Sequence, residues 1–522
     1  MAADATSSVE PGSSKDSSEG EAGAGLRREL PFAGAIALSI GIMAPTAALA
    51  LNGSGTAADA GRAVPLVFLL AAIGVGFVSY AFIRLSRYIS HAGSMYGFAG
   101  VALGPRPALG VGWTLFGTYV MLAATGCAGA AVFVLNLFSD LSILSGVGWI
   151  PIVIIVYLLA AAIGYAQINR ATRVLLVAEG ISITLVTILI VIIFVKLFAG
   201  SAPNGASFSL KPFSPGPGVS TSALFLGIVF AFLSFAGFEG AATLGEETRD
   251  PKRNIGRAIG GTLILGAILF VLGMLAETLG FGIDKAGVAA FASSSAPLGD
   301  LAHSYVGPWY RDIVDLGATL SMFAACLGAT TAAARMLYVL ARNGLGPSSL
   351  ARASGKTGSP LACVVVCVAF GLLSLLYMGV QGATATDAFF YPATLGTLGL
   401  LVAYIVTNIS AFKFLIFERR ARAWEAVFPI AGTIFLGYVL FKQVHPVPAY
   451  PYNLFPYIDL VFVIIGCVYL MTRRNIVERT RTDLAALRAD AHVASAGPFI
   501  HAGEVEVPAS ASEAEKANAR VL

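Results

Sequence analysis

Apolar stretches separated by short polar loops dominate the chain, and their lengths predict membrane-spanning helices. A helix needs about 20 mostly apolar residues to cross the hydrocarbon core of a bilayer. Twelve stretches have this character, and the sixth begins at Ser220 and is interrupted at residues 235–240. The other eleven are residues 31–51, 64–83, 110–137, 150–166, 174–198, 258–279, 311–340, 361–378, 389–414, 427–441 and 454–471. The pattern predicts an all-α polytopic membrane protein with twelve transmembrane helices.

Two of these stretches, the first and the sixth, carry helix-breaking residues in their middles. In the first, Pro45 removes a backbone donor and Gly41 loosens the helix. In the sixth, residues 235–240 read FAGFEG and place Glu239 inside an apolar segment. An ionisable group is costly in lipid, so it usually lines a bundle interior, a cavity or a pathway. Helices 1 and 6 are therefore predicted to be discontinuous.

Composition agrees with a membrane protein. The chain is 57% hydrophobic and only 12% charged, whereas a soluble protein carries about a quarter charged residues. The net charge of +4 is spread over many short loops, which argues against nucleic-acid binding. All five cysteines fall in predicted spans, and no His or acidic residue near Cys363 and Cys367 completes a metal set. They are interpreted as buried thiols, without a disulfide framework or a cofactor.

Lys and Arg are distributed asymmetrically along the chain. With both termini in the cytoplasm, the inner loops and helix ends hold twenty-three of them and the outer side only six. This bias predicts a multi-pass protein of the cell membrane with both termini cytoplasmic. Residues 1–29 are predicted to be a disordered cytoplasmic tail, 30–474 the transmembrane domain, and 475–522 a cytoplasmic tail with a helical start.

The two interrupted helices are related by position. Five spans separate their starts, and an odd-numbered unit enters the membrane from opposite sides. Residues of about 30–200 and 219–416 are thus predicted to form a five-plus-five inverted repeat, followed by two extra helices at about 424–474. Freed N–H groups suit a carboxylate and freed carbonyls suit an ammonium or a sodium ion, so an amino acid satisfies both. The alternative is that the glycines only permit close packing or a kink.

Four segments together resemble the amino acid–polyamine–organocation (APC) superfamily of permeases. They read SFAGFEGAATLGEETRDPKRNIGRAI, HAGSMYGFAGVALGP, ARMLYVLARNGLGP and TLGTLGLLVAY. The resemblance extends from about Leu30 to Arg474. It implies the five-plus-five fold with two added C-terminal helices. It also implies a secondary active transporter for amino acid uptake or exchange by alternating access, commonly coupled to protons.

By the same resemblance, the two breaks hold the substrate. The carboxylate is expected at the first break, and the carbonyls of both breaks are expected to meet the ammonium. Gly237 belongs to the second break, and Ser234 and Phe235 fall where the family places binding and gating side chains. The residues expected at the substrate are Ile40, Gly41, Ala44, Pro45, Thr46, Ala47, Ser234, Phe235, Ala236, Gly237 and Thr330. Since Pro45 cannot donate, Thr46 and Ala47 are the expected amide donors.

The sequence departs from the family at two places. GIMAPTAAL stands where the family has a glycine- and serine-rich motif, and Glu179 stands where several relatives have a lysine. Glu179 and Glu239 are the only acids predicted well inside spans. A desolvated carboxylate binds a proton more readily, so Glu179 is a proton-coupling candidate and Glu239 a gate or coupling candidate. The alternative for each is a structural, hydrogen-bonded glutamate or one that reaches a water-filled vestibule.

Substrate selectivity is expected from side chains of spans three, six, eight and ten. The candidates are Thr125, Phe235, Cys326 and Thr330. A neutral or cationic amino acid, a polyamine or another amine all remain open. A proton is the expected coupling ion and sodium the alternative, and a monomer and a homodimer are equally open. The charges from Glu246 to Arg253 are interpreted as an inner-surface network.

Other protein classes are less consistent with the sequence. An enzyme is disfavoured because neither HExxH nor GxSxG appears. A channel is disfavoured because most spans are uniformly apolar. A transporter-like sensor, which binds a substrate without moving it, stays an alternative.

Overall fold

The computed structural model describes residues 32–495, apart from residues 90, 92, 145, 166–167, 217, 245–247, 249 and 355–357. This part of the chain is built from α-helices joined by short turns. The first eight are α1 Phe32–Met43, α2 Pro45–Ala60, α3 Val64–Leu85, α4 Met95–Leu103, α5 Pro105–Asp140, α6 Trp149–Tyr165, α7 Ile168–Phe198 and α8 Thr221–Phe235. The next are α9 Pro251–Phe281, α10 Lys285–Ser293, α11 Pro297–Tyr305, α12 Pro308–Arg342, α13 Leu361–Val380, α14 Ala385–Ala411, α15 Val427–Lys442, α16 Phe455–Thr472 and α17 Arg474–Ser495.

Nine stretches of the described chain are long and apolar enough to cross a membrane. The first runs from Gly34 to Leu85 and so contains α1, α2 and α3, while α6 and α8 are apolar but shorter. The predicted all-α polytopic architecture is confirmed. The number twelve and the inverted repeat stay predictions.

Local sequence signals set several helix starts. Ser220 caps α8, because its hydroxyl accepts a hydrogen bond from Ala223 N at 3.1 Å. Asp284 caps α10 in the same way through Gly287 N at 3.1 Å. Thr384 and Asp387 form a reciprocal capping box at the start of α14. These bonds satisfy amides that a helix start otherwise leaves unpaired.

Small residues bring α5 and α12 together in the middle of the bundle. A Cβ at Gly126 would lie 2.6 Å from the backbone nitrogen of Cys326. Lipid supplies no hydrophobic drive for helices to associate, so close backbone approach at small residues holds membrane helices together. The cysteines are free thiols. Cys127, Cys326, Cys363 and Cys367 are buried, as the interpretation as buried thiols requires, whereas Cys467 is only partly buried.

The carboxy-terminal helix α17 packs against one end of the bundle, here called the tail end. Leu484 fills the space above Gly100 of α4, where a Cβ would lie 2.5 Å from it. Asp483 lies 3.7 Å from His91 and 3.3 Å from Arg342. Burial works against ionisation of Asp483, but its hydrogen bond and charge contact with His91 and the charge of Arg342 lower its pKa. The helical start predicted for the C-terminal tail is confirmed, and this helix packs against the bundle.

The opposite end of the bundle, here called the open end, carries two short helices. In the loop from Phe281 to Pro308 the sequence predicts a short helix, and the structure has two there, α10 and α11. Three parts of the sequence predictions lie outside the described residues. They are the predicted N-terminal tail, the end of the C-terminal tail at residues 496–522, and Glu246, Glu247 and Arg249 of the predicted charge network.

Candidate binding site at the two helix breaks

The first break is a single residue between α1 and α2. Ala44 has φ 42 and ψ 66, a left-handed conformation that ends α1, and Pro45 then begins α2. The first amides of a helix have no partner within it. Here Ala47 N donates to the Ser321 hydroxyl at 3.2 Å, and Ala48 N donates to Ala44 O at 2.9 Å. Because Pro45 has no N–H, the Thr46 amide is the donor that has no hydrogen bond to another described residue and is left for a ligand.

The second break follows α8 and touches the first. Gly237 has φ 105, and a Cβ there would lie 2.6 Å from Met43 N. Ser39 of α1 ties the two together, because its hydroxyl donates to Phe238 O at 3.1 Å and accepts from Ala241 N at 2.7 Å. The breaks predicted in these two helices therefore contact each other directly and are joined by hydrogen bonds.

A small central cavity of about 40 Å³ lies beside both breaks. Its wall is mostly apolar, with side chains from five helices: Ile42, Met43, Leu122, Leu233, Met322 and Phe389. The polar side chains of the wall are Thr125 and Asn52. This volume accommodates about one water molecule, so the cavity must expand to hold a larger ligand. Methionine side chains adapt readily to such a change.

A second cavity of about 560 Å³ opens at the open end of the bundle. Its wall includes Asp59, Gln443, Tyr452 and the aromatic pair Phe230 and Phe390, whose ring centroids are 5.4 Å apart. Phe390 follows Phe389 of the central cavity directly, so consecutive aromatic residues of α14 line the two spaces. A volume of this size is typical of a small-molecule pocket.

The structure brings together part of the predicted site. Ala44, Ala47, Ala236 and Thr125 line the central cavity. The wall does not include the other predicted residues, which are Ile40, Gly41, Pro45, Thr46, Ser234, Phe235, Gly237, Cys326 and Thr330. Thr46 and Thr330 are buried with hydroxyls that have no partner in the described structure. Phe235 packs edge-to-face on Phe270 at 5.0 Å.

Asn52 is a site residue that the sequence analysis missed. Its Nδ2 donates to the Ser234 hydroxyl at 2.8 Å, and that hydroxyl donates to Phe230 O at 2.9 Å. Ser234 is therefore occupied with other protein groups. The Asn52 Oδ1 atom is buried and has no partner within the described chain. A lone asparagine in a run of small residues gives little sequence signal, although a buried amide oxygen without a donor is costly.

Glu239 lies on the tail side of the central cavity, in a closed aromatic cluster. It accepts hydrogen bonds from Tyr119 at 3.2 Å, Tyr404 at 2.7 Å and Gly237 N at 3.1 Å. Phe82 and Phe238 pack on Tyr404, each with a centroid distance of 5.5 Å. Both carboxylate oxygens of Glu239 accept hydrogen bonds. Glu239 therefore joins α5, α14 and the second break.

Glu179 contacts the first break through one intermediate side chain. The Ser321 hydroxyl donates to Glu179 Oε1 at 2.8 Å and accepts from Ala47 N. The Oε2 atom of Glu179 has no hydrogen-bond partner among the described residues. A change in the charge of this carboxyl group would thus act directly on the start of α2.

Glu179 and Glu239, the two acids predicted well inside the spans, are not the only buried acids. Glu277 of α9 and Asp315 of α12 are also fully buried. Both lie near the ends of their predicted spans, where a sequence pattern does not separate a buried acid from a solvated one. Arg311 lies 3.9 Å from Asp315 and 3.0 Å from Asp140, so Asp315 belongs to a charged group. Glu277 has no charged partner in the part of the chain that the structure describes.

No group of three potential metal ligands occurs in the part of the chain that the structure describes.

A comparison with known families then identifies the class of protein. Residues 34–443 match the family model described as amino acid permease. The chain belongs to the amino acid permease family. The resemblance to APC superfamily permeases is thereby confirmed.

Similar proteins are permeases, not enzymes. The branched-chain amino acid permease BcaP of Lactococcus lactis subsp. cremoris (strain MG1363) is 27% identical over 62% of this chain and 70% of its own length. BcaP of Bacillus subtilis (strain 168) is 24% identical over 74% and 80%. The low-affinity putrescine importer PlaP of Escherichia coli (strain K12) is 23% identical over 79% and 88%. Membership in this family, together with several apolar helices, makes the chain a multi-pass membrane permease.

Proposed function

We propose that this permease is a secondary active transporter of neutral, aliphatic amino acids across the cell membrane. The observation that carries the proposal is the apolar central cavity beside two contacting helix breaks. Paired breaks supply backbone donors and acceptors for the amino acid core, and the remaining wall sets which side chain is accepted. Two relatives named as branched-chain amino acid permeases agree with this assignment.

Recognition of the amino acid core follows from the unpaired groups at the breaks. The Thr46 amide and the start of α2 suit the substrate carboxylate, because a helix N-terminus favours an anion. Carbonyls of both breaks, in the region of Ile40, Gly41, Phe235 and Ala236, suit the ammonium. Ile40 O and Phe235 O already accept hydrogen bonds from Ala44 N and Phe238 N, so Gly41 O and Ala236 O are the better acceptors for a ligand. The unpartnered Oδ1 of Asn52 adds one more acceptor in the cavity wall.

The cavity wall favours a neutral side chain over a cationic one. Its lining carries no charged residue within the described structure. A cationic substrate would leave a charge without a partner in apolar surroundings, which is strongly unfavourable. For this reason a cationic amino acid or a polyamine is the second candidate, although PlaP is named a putrescine importer.

The two cavities support alternating access. The large cavity opens at the open end, whereas the cluster of Phe82, Phe238, Glu239 and Tyr404 closes the path toward the tail end. Transport then requires this cluster to part and the aromatic rings near Phe390 to close. Glu239 is proposed as the group that holds the tail-side gate.

The finer architecture is part of the proposal. Counting the stretch from Gly34 to Leu85 as two spans and adding α6 and α8 brings the apolar spans to twelve. The contact between the breaks of helices 1 and 6 supports the five-plus-five inverted repeat. The Lys and Arg bias of the loops supports a cytoplasmic tail end.

Coupling to a proton is proposed at Glu179, with sodium as the alternative ion. Its carboxyl reaches the first break through Ser321. Binding of a proton there changes the hydrogen bond that positions the Ala47 amide. A monomer and a homodimer are both compatible with this scheme.

A competition panel tests the proposed substrate class. Uptake of labelled leucine into proteoliposomes is measured with an excess of unlabelled valine, isoleucine, lysine or putrescine. Valine and isoleucine are expected to reduce uptake about tenfold more effectively than lysine or putrescine, since the apolar wall discriminates against a charged chain. Equal or stronger competition by lysine or putrescine would contradict the aliphatic assignment and favour the cationic candidate.

A further inference from the structure

Glu277 is a buried carboxyl group that has no partner among the described residues. It lies near the open end of α9, and none of its surface reaches solvent. Neither of its carboxyl oxygens has a hydrogen-bond partner in the described structure. No ion pair of the described residues involves it either. An ionisable group held this way within a membrane span points to function.

Three helices enclose this carboxyl group. A Cβ at Gly53 of α2 would lie 2.8 Å from Glu277 Oε2, 2.8 Å from the Phe291 ring of α10 and 2.9 Å from the Met274 sulfur of α9. Phe291 itself stacks on Phe281 with ring centroids 5.0 Å apart. The absence of a side chain at position 53 thus makes room for Glu277, and α10 covers it.

Among the described residues, no charged group of the elements packed against α9 forms an ion pair or hydrogen bond with Glu277. Glu179 and Lys196 of α7 bond to Ser321 and to Tyr305 O, and Arg84 of α3 pairs with Glu425. Asp284 and Asp300, beside or within the two short helices, bond to Gly287 N and Ser294. Lys285 and His303 are exposed, Arg62 reaches Gly216, and Asp59 lines the large cavity. The described residues of α1 and α8 carry no charge.

A carboxyl group in these surroundings is stable only in its protonated, neutral form. Removing a charge from water without a compensating partner costs far more than binding a proton. The closed arrangement of α2, α9 and α10 therefore favours the proton-bound form. Ala292 and Ser293 of α10, and Ser294 after it, line the large cavity. Movement of α10 away from α2 would expose Glu277 to the water of that cavity and let the proton leave.

We propose that Glu277 is a proton-binding site whose occupancy is coupled to the closure of α10 against α2. This inference rests on the proposed transport function and adds a second coupling site to Glu179. The link to the substrate is short, because Gly53 follows Asn52 of the central cavity wall. Proton binding at Glu277 stabilises the covered state, and proton release accompanies opening.

Glu277→Gln in the full-length protein tests this inference, because the amide keeps the shape of the side chain and does not titrate. Proteoliposomes are assayed for leucine exchange at equal pH and for leucine accumulation driven by an imposed pH gradient, with a trapped pH dye reporting proton entry. The variant is expected to keep exchange within about twofold and to lose gradient-driven accumulation and leucine-induced proton entry. Glu478→Gln, an exposed acid of α17, is the control and should behave as wild type.

The outcomes separate the inference from the function on which it rests. Gradient-driven accumulation and proton entry that equal wild type in Glu277→Gln would overturn the inference, as would wild-type accumulation that ignores the gradient. An absence of leucine exchange in the wild type would instead overturn the proposed function. If Glu277→Gln does not fold, Glu277→Asp replaces it: a shifted pH dependence of accumulation supports the inference, and an unchanged one overturns it.

Discussion

At the scale of single residues, a few flexible side chains set the size of the substrate site. Met43 and Met322 approach the central cavity from α1 and α12, and Leu122 approaches from α5. Close packing in the surrounding core leaves little room for adjustment. The unbranched thioether chains are the exception, since they change rotamer at low cost.

Met322→Ala is expected to widen the accepted range of substrates. The smaller residue leaves space for a bulkier side chain, so phenylalanine should gain about tenfold in competition against leucine, the order of magnitude that a few methylene groups provide. The ratio of inhibition constants for the two amino acids measures this. Met336→Ala is the matched control, because Met336 is equally buried in α12 but lies outside the cavity wall. An unchanged ratio in Met322→Ala would remove Met322 from the site.

Sequence information at this scale was sufficient for backbone breaks but not for side-chain orientation. Proline and glycine both disfavour the interior of a helix, so breaks near Pro45 and Gly237 could be predicted. Leu122, Met322 and Phe389 resemble every other apolar residue of their spans, and only tertiary packing turns them toward the cavity. Ser234 was expected at the ligand, yet its hydroxyl is bonded to Asn52 and Phe230 O.

At the scale of secondary-structure elements, the site depends on the close approach of the two interrupted helices. The backbone of α1 at Ile42 and Met43 fits against Gly237, where any side chain would collide. Ser39 adds two hydrogen bonds between the same elements. The interruptions of helices 1 and 6 are thus held at one fixed distance.

Gly237→Ala should disturb this junction. The positive φ is unfavourable for a residue with a Cβ by roughly 1–2 kcal/mol, and contact with Met43 N adds to the cost. Thermal unfolding in detergent should therefore occur at a lower temperature, and leucine uptake should fall. Gly261→Ala is the matched control: nothing lies within 4 Å of its Cβ position, and replacing a helical glycine is worth about 0.4–1 kcal/mol of added stability. Equal melting temperatures for the two variants would contradict the proposed junction.

The docking of α17 and the pair of short helices show why element contacts are hard to predict. A charged, alanine-rich segment is compatible with a free helix, and only the small residue Gly100 reveals where Leu484 fits. In the same way, the loop between α9 and α12 shows a helical composition, but its cover over Glu277 depends on Gly53, which is distant in sequence.

At the scale of the whole molecule, the permease is open toward one end and closed toward the other. The large cavity and the small central cavity are both lined by α2, α8 and α14, and the Glu239 cluster follows α8 on the tail side of the central cavity. The charge bias of the loops predicts that this tail end faces the cytoplasm. The proposed twelve spans, the proposed cytoplasmic tail end and uptake into the cell are therefore consistent with one another.

Uptake of radiolabelled leucine into proteoliposomes of the wild-type protein tests the central claim most directly. Time-dependent, saturable accumulation in the vesicle lumen is predicted, and it should be released when the vesicles are permeabilised. Liposomes without protein provide the background. Saturable binding of leucine without entry into the lumen would contradict the transport function and indicate a substrate sensor instead.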